Sequence, residues 1–420
     1  MKLYLKNIFV VIFLFFGVNF YAQEVLRITQ TELDKRFLEK NYNLIASHAN
    51  IDVNRAYKQQ ALLWDNPFFD AETALLTIPD NVHVLDFGQV YFQFQQLIRT
   101  AKKLKKNADI SEATAQLSEA QFYDLTRTLR HQLHSDFNDL STVYEKSVWN
   151  KMQIDSFTKL VNAVDNQVKV GNMAKKDLFL LQSQRIQLQR DAADLERSKI
   201  ALQSDMQNLL GEKNEIVVIP VVSADEKIQQ NTENLSVANL INTAIESRPD
   251  LKIARANVNI QEKNLIYQKA LAVPDLTASL SYSKSGSYNN NYFGLNLGLP
   301  LPVFNKNQFN IKAAQLVINQ QQNLQDAALV QISSDVINAY RRLEDLEKWR
   351  NGTSAKAYKD YEDFFNANVM SSYQTKQMTL VDFIVFYQNY QQNKIQQIDT
   401  DAQIRQAVEN LNFVVGKKVR

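Results

Sequence analysis

Between Leu276 and Phe304 the chain holds two runs of strict alternation separated by a polar turn. In the first, Leu276, Ala278, Leu280 and Tyr282 fall on one side, with Thr277, Ser279, Ser281 and Ser283 on the other. In the second, Phe293, Leu295, Leu297, Leu299 and Leu301 oppose Gly294, Asn296 and Gly298. A period of two places every apolar side chain on one face of a strand. Each run has the length of a tilted strand that crosses a bilayer, roughly ten residues. The remainder reads as helix, so this hairpin constrains the fold more than any other stretch.

The start of the chain predicts export. Lys2 and Lys6 precede an apolar run from Ile8 to Val18, and Ala22 is a small residue before Gln23. That is the form of a signal peptide over 1–22, and the run is too short for a spanning helix, which needs roughly 18 residues. The chain of 420 residues has no cysteine and a net charge of +2. Disulfides and thiolate metal sites are therefore excluded, and there is no electrostatic reason to bind nucleic acid. A mean hydropathy of -0.33 excludes a bundle of membrane helices. A membrane crossing would have to be made by strands.

Glycine and proline are sparse, and long stretches lack both: between Gly88 and Gly171, between Pro302 and Gly352, and from there to Gly416. Their composition favours helix. Leu129, Leu133, Phe137, Leu140 and Tyr144, and again Ile332, Val336, Ala339, Leu343 and Leu346, recur at three and four, the spacing of a coiled-coil seam. The chain is also written twice. Pro67 and Pro274, Asp177 and Asp382, Gly211 and Gly416 stand at nearly one offset. Each half reads helix, strand, strand, very long helix, turn, helix. The first repeat spans 23–211, with strands at 68–78 and 85–97; a linker covers 212–250, with a helix capped by Ser236; the second repeat spans 251–420, with strands at 275–284 and 292–303. In the first half a helix from Thr31 to Leu63 and another from Asp177 to Leu210 would together match the long one from Thr100 to Val168.

Four strands cannot close a transmembrane barrel, since about eight is the minimum, and an open edge in lipid is forbidden. The expected fold is mainly α with a transmembrane β part: a duplicated coiled-coil α-barrel, with three copies pooling their strands into a twelve-stranded barrel. Tyr91, Tyr282 and Tyr292 are candidates for interfacial girdles. The basic run Lys102, Lys103, Lys105 and Lys106 reads as a wet helix face, with lipid headgroups as an alternative. His131 and His134 lie one turn apart on the long helix; no third ligand is evident, and a solvated face is the expectation over a metal pair. Gly352 reads as a local kink. No phosphate loop, metal-binding spacing or nucleophile with its base is evident, so neither cofactor nor enzyme activity is expected.

Over nearly its whole mature length the chain resembles the TolC-type outer membrane efflux channels, through the duplicated halves, paired strands, long helices and tip turns. GLPLPVFNKNQFNIKAAQ, Gly298 to Gln315, is similar to the strand-to-helix junction of the heavy-metal (cobalt-zinc-cadmium) cation efflux branch, with Phe309 where a glycine is usual. The turn over 169–177 carries Gly171 followed by NMAKKDL, and the turn over 370–382 reads YQTKQMTLVDF from Tyr373. The resemblance implies Asp382 and Tyr373 as gate residues, with Asp177 the matching acid of the first turn. Lys376 stands in place of a glycine and Val385 in place of a second aspartate, so one acid ring is implied. A threefold ring of Asp382 would attract cations to the mouth; equally, Asp382 and Asp177 suit helix starts. Gly171, Asn172, Met173, Thr375, Lys376 and Gln377 would form the docking tip for a periplasmic adaptor. The implied function is passive: a homotrimeric channel in outer membrane lipid, with a long periplasmic extension, continuing an inner membrane resistance-nodulation-division type pump and its adaptor to the exterior. Drug efflux and type I secretion share that architecture. A periplasmic coiled-coil scaffold without a pore is the alternative of another class.

Overall fold

The computed structural model describes residues 24–73, 89–221, 235–284, 290–375 and 377–419. The expected signal peptide, the inner ends of the first two strands, most of the middle of the linker, and Lys376 lie outside these residues.

The first repeat opens with β1 (Glu24–Ile28), α1 (Gln30–Lys40) and α2 (Tyr42–Ala61), followed by β2 (Phe68–Thr73) and β3 (Val90–Ile98). The long α3 (Lys103–Lys169) then runs to the tip, α4 (Lys175–Leu209) returns, and β4 (Ile216–Pro220) pairs parallel with β1. The second repeat follows the same plan: α5 (Val237–Ser247), α6 (Pro249–Leu271), β5 (Leu276–Lys284), β6 (Tyr292–Gly298), α7 (Gln308–Asn351), α8 (Thr353–Phe364), a π-helical turn (Phe365–Val369), α9 (Met370–Gln374) and α10 (Leu380–Val415). At a rise of 1.5 Å per residue, α3 is about 100 Å long.

The helix expected from Thr31 to Leu63 is two helices, broken at Asn41. Asn41 is buried, with ψ at 114°; its side chain accepts from Leu44 N–H at 3.0 Å and donates to the Leu209 carbonyl at 2.7 Å. A side chain that caps the next helix and ties down a neighbour replaces the backbone bonds lost at the break. The second repeat breaks in the same way at Arg248, with ψ at 124°, where Pro249 opens the next helix. Arg248 is buried and binds Asp250, Asp335 and the Val414 carbonyl. The helix expected after Ser236 is present, but the Ser236 side chain makes no capping bond. At the foot of α4, Gly211 has φ +64°, and a Cβ there would lie 2.4 Å from the Lys40 carbonyl oxygen, so the chain can pass only as glycine.

The four-stranded sheet has the order β2-β3-β5-β6, all antiparallel, so the repeats join through β3 and β5. Cross-strand register stacks Phe69, Phe94, Leu280 and Leu295 in one row and Ala71, Phe92, Tyr282 and Phe293 in the next. These rows point outward: Leu280 is 61% exposed, whereas its neighbours Ser279 and Ser281 are 5% and 8% exposed. The sheet is thus inverted, greasy outside and polar within, the arrangement of a strand that meets lipid. Tyr282 lies within the aromatic row, against Phe92 and Phe293. Tyr91 and Tyr292 share the opposite face with Ser283. The three tyrosines expected in interfacial girdles therefore divide between faces, because Tyr91 and Tyr292 sit an odd number of residues from the outward positions.

The basic run at the head of α3 also divides. Lys103 is 3% exposed and its Nζ donates to Asp275 and to the Val273 carbonyl, both at 2.6 Å, while Lys102 and Lys105 are exposed. Lys103 corrects the expectation of a uniformly wet face: it anchors the helix to the start of β5. Three apolar clusters stabilise the body. Two lie at the equator, around Phe37, Phe137 and Met206 and around Leu251, Val336 and Leu411; the third fills the tip. Gly352 separates α7 from α8, as expected of a kink. Among the described residues no helix is long and apolar enough to cross a membrane.

Candidate functional site

The tip is built from the two turns and the four helix ends that meet there. The first turn closes on Gly171, whose φ is +78°; Gly171 N–H donates to the Val168 carbonyl and Asn172 N–H to that of Gln167. A left-handed residue just past a helix satisfies the last carbonyls in this way. Asp177 follows in the first turn of α4, its N–H donating to the Ala174 carbonyl. The second turn closes with Thr375 donating through N–H and Oγ1 to the Ser371 carbonyl, and with Gln377 N–H on that of Ser372. Thr379 then caps α10: its Oγ1 accepts from Asp382 N–H at 3.2 Å and donates to Asp382 Oδ2 at 2.6 Å.

Asp382 is exposed and held by its own helix start. Tyr373 feels the charge of Asp177 from the other repeat. Tyr373 stacks on Phe383 with ring centroids 4.6 Å apart, and its buried hydroxyl has no hydrogen-bond partner. Burial, with the Asp177 charge added, pushes that hydroxyl up from the usual phenol range, so it stays protonated. Met173 packs against the same cluster, while Val385 is exposed.

Behind Tyr373 runs a column of rings that the sequence did not single out. Phe383 stacks on Tyr387, Tyr387 meets Phe157 and Phe365, and Phe365 stacks on Tyr390 at 4.3 Å. Trp149 closes the column against Tyr390. The buried Tyr387 hydroxyl donates to Gln153 Oε1 at 2.9 Å, and burial holds its pKa well above the phenol range. Phe383, Tyr387 and Tyr390 recur at four and three in α10, a helical spacing visible in the sequence. Phe365 was not visible, because the π turn that presents it shifts the phase of the helix.

At the equator His134 spans both repeats. Its Nε2 lies 2.8 Å from Asp34 Oδ1 on α1, and its Nδ1 lies 3.0 Å from Glu409 Oε2 on α10. Burial disfavours the charged ring, but the hydrogen bonds to Asp34 and Glu409 outweigh it and raise the pKa to about 9. His131 stacks on Phe413 at 4.4 Å, and burial lowers its pKa. The expectation of a solvated face for the two histidines is thus corrected: acids from α1 and α10, remote in sequence, close over it. Both nitrogens of His134 are occupied by carboxylates, and among the described residues no group of three or more His, Asp and Glu is placed to hold a metal.

Long paired helices with an aromatic tip at one end and an inverted sheet at the other form a fold found in solved outer membrane channels. Solved structures bear out the fold: the chain is similar to CusC, with a TM-score of 0.76 and 13% identity, covering 94% of each chain. It is also similar to the Campylobacter jejuni CmeC outer membrane channel, with a TM-score of 0.75 and 12% identity, covering 93% of this chain and 87% of that one. A relative by sequence is the cobalt-zinc-cadmium resistance protein CzcC of Cupriavidus metallidurans, 19% identical over 380 residues, which cover 90% of this chain and 87% of the relative. Residues 240–417 match the family model described as outer membrane efflux protein.

Proposed function

We propose that three copies of this chain form a passive channel in the outer membrane, conducting cargo delivered by an inner membrane pump of the resistance-nodulation-division type through a periplasmic adaptor. The observation that carries this reading is the inverted sheet with two open edges. Among the described residues the outer edges of β2 and β6 have no strand partner, and in lipid such edges must be paired. Pairing β6 of one copy with β2 of the next around a threefold axis leaves none open and gives twelve strands.

The long helices would continue the barrel as a periplasmic tube, whose tip holds the turns that dock the adaptor. Gly171, Asn172, Met173, Thr375, Lys376 and Gln377 are the tip residues for that contact. Tyr373 and Asp177 are gate residues, and Asp382 lines the mouth with negative charge. The cargo is heavy-metal cations, on the strength of the CzcC relationship and the junction Gly298 to Gln315. Growth of a strain lacking the protein, across graded zinc, cobalt and cadmium and a panel of dyes and antibiotics, tests this. Selective metal sensitivity reversed by the intact chain supports the reading. Sensitivity confined to drugs removes the metal cargo, and a protein that stays soluble without detergent removes the channel.

A further inference from the structure

A cavity of about 720 Å³ opens at the equator between α1, α3, α6 and the end of α10, a volume suited to a small organic molecule. It is remote from both the sheet and the tip: Phe122 in its wall lies about 30 Å along α3 from the strand end, at 1.5 Å per residue. Positive charge dominates its lining, with Arg127, Arg130, Lys252, Lys417 and Lys418 set against Asp34 and Glu409.

The two acids are already engaged. Glu409 accepts from His134 and from Gln30, and Asp34 pairs with His134 and lies 3.5 Å from Arg130. Arg127 is committed to Asp124 and to the Phe413 carbonyl. Lys252, Lys417 and Lys418 are exposed at the rim, with no ion pair among the described residues. Deeper in, His131 Nδ1 is buried without a hydrogen-bond partner. The remaining wall mixes polar residues, Thr126 and Asn412 among them, with an apolar part in which Leu38 and Tyr123 are 43% and 53% exposed. A concave wall with an excess of one sign focuses its field on the opening, and the orphan His131 nitrogen inside it lacks the partner that a ligand would supply.

We infer that this cavity is a binding site for a small organic anion. A carboxylate or phosphate would sit among Lys252, Lys418 and Arg130, with a planar apolar body against Leu38, Phe122 and Tyr123. The inference does not depend on the cargo or on the gate, since none of its residues belongs to the tip.

The test is isothermal titration of the full chain in detergent with phenyl phosphate, inorganic phosphate and benzyl alcohol. Phenyl phosphate should bind one site per chain, at least about tenfold more tightly than either fragment, because only it meets both the charged rim and the apolar wall. The double variant K252E/K418E should abolish that advantage. Y123A should weaken phenyl phosphate while leaving inorganic phosphate unchanged. The side chains altered are exposed, and helical circular dichroism confirms that each variant is folded. Equal affinity for the three compounds overturns the assignment, as does a K252E/K418E protein that binds phenyl phosphate as the parent does.

Discussion

The two ends of this molecule are built for different solvents. At the tip the rings of the column point inward: Phe383 is fully buried and Tyr387 is 2% exposed. In the sheet they point outward, Phe293 at 78% and Leu295 at 68%, while serines are buried. One chain therefore follows the hydrophobic rule at one end and its inverse at the other, and what decides is the medium outside. Water rewards burial of apolar area at about 25 cal/mol per Å²; lipid gives no such reward, and instead requires that backbone and polar groups be satisfied within.

The comparison breaks first where each end is most committed. Replacing Phe383 by alanine removes the ring on which Tyr373 and Tyr387 both stack, and should cost about 3–5 kcal/mol, read as a lowered thermal midpoint and faster amide exchange at the tip. In the sheet, Leu280→Arg should cost about 2–4 kcal/mol in the membrane, read as reduced assembly in the outer membrane. Leu280→Ala should be tolerated there better than Phe383→Ala is at the tip, because lipid tails fill the space that leucine leaves. If Leu280→Arg assembles as well as the parent, the outward face does not meet lipid.

The sheet was legible because a period of two needs no partner to be read: Leu276 to Tyr282 and Phe293 to Leu297 carry their faces in the alternation itself. Long helices and tip turns were legible for a similar reason, since Gly171 and the absence of proline are local facts. What escaped depends on distant residues. His134 reads as a solvated histidine until Asp34 and Glu409, 100 and 275 positions away, close on it. The break at Asn41 carries neither glycine nor proline, and becomes visible only once its counterpart Arg248 is seen beside Pro249. Lys103 looked like one lysine in a basic run, and its anchoring partner Asp275 belongs to the other repeat.

Between the two ends, His134 provides a measurable junction. Its folded pKa of about 9 lies above the ordinary histidine value of about 6.5. Its contribution is therefore complete below the unfolded value and is lost as pH rises through about 9. The size is a few kcal/mol at most, given the burial that opposes the charge. Thermal unfolding should show the parent losing stability between about pH 6.5 and 9 relative to His134→Gln, which lacks the titration. Parallel profiles for the two proteins would mean that the ring is not charged between Asp34 and Glu409.

The smallest effects separate the two tip turns, which pass from one helix to the next by different means. The second relies on a side chain: Thr379→Ala removes the cap of α10 and should cost about 1 kcal/mol, freeing the Asp382 carboxylate from the Thr379 hydroxyl. The first has no side-chain cap on the helix that follows and turns on the backbone of Gly171. A Cβ at Gly171 would meet nothing within 4 Å, so Gly171→Ala carries only the cost of φ +78°, about 1 kcal/mol. Gly171→Asn should cost less, since asparagine tolerates the left-handed region. A ranking of alanine above asparagine in destabilisation, by thermal unfolding, would assign the cost at this turn to conformation. If asparagine proves the worse of the two, its larger side chain must meet a surface that a single chain does not provide, and the first turn is then covered in the assembled protein.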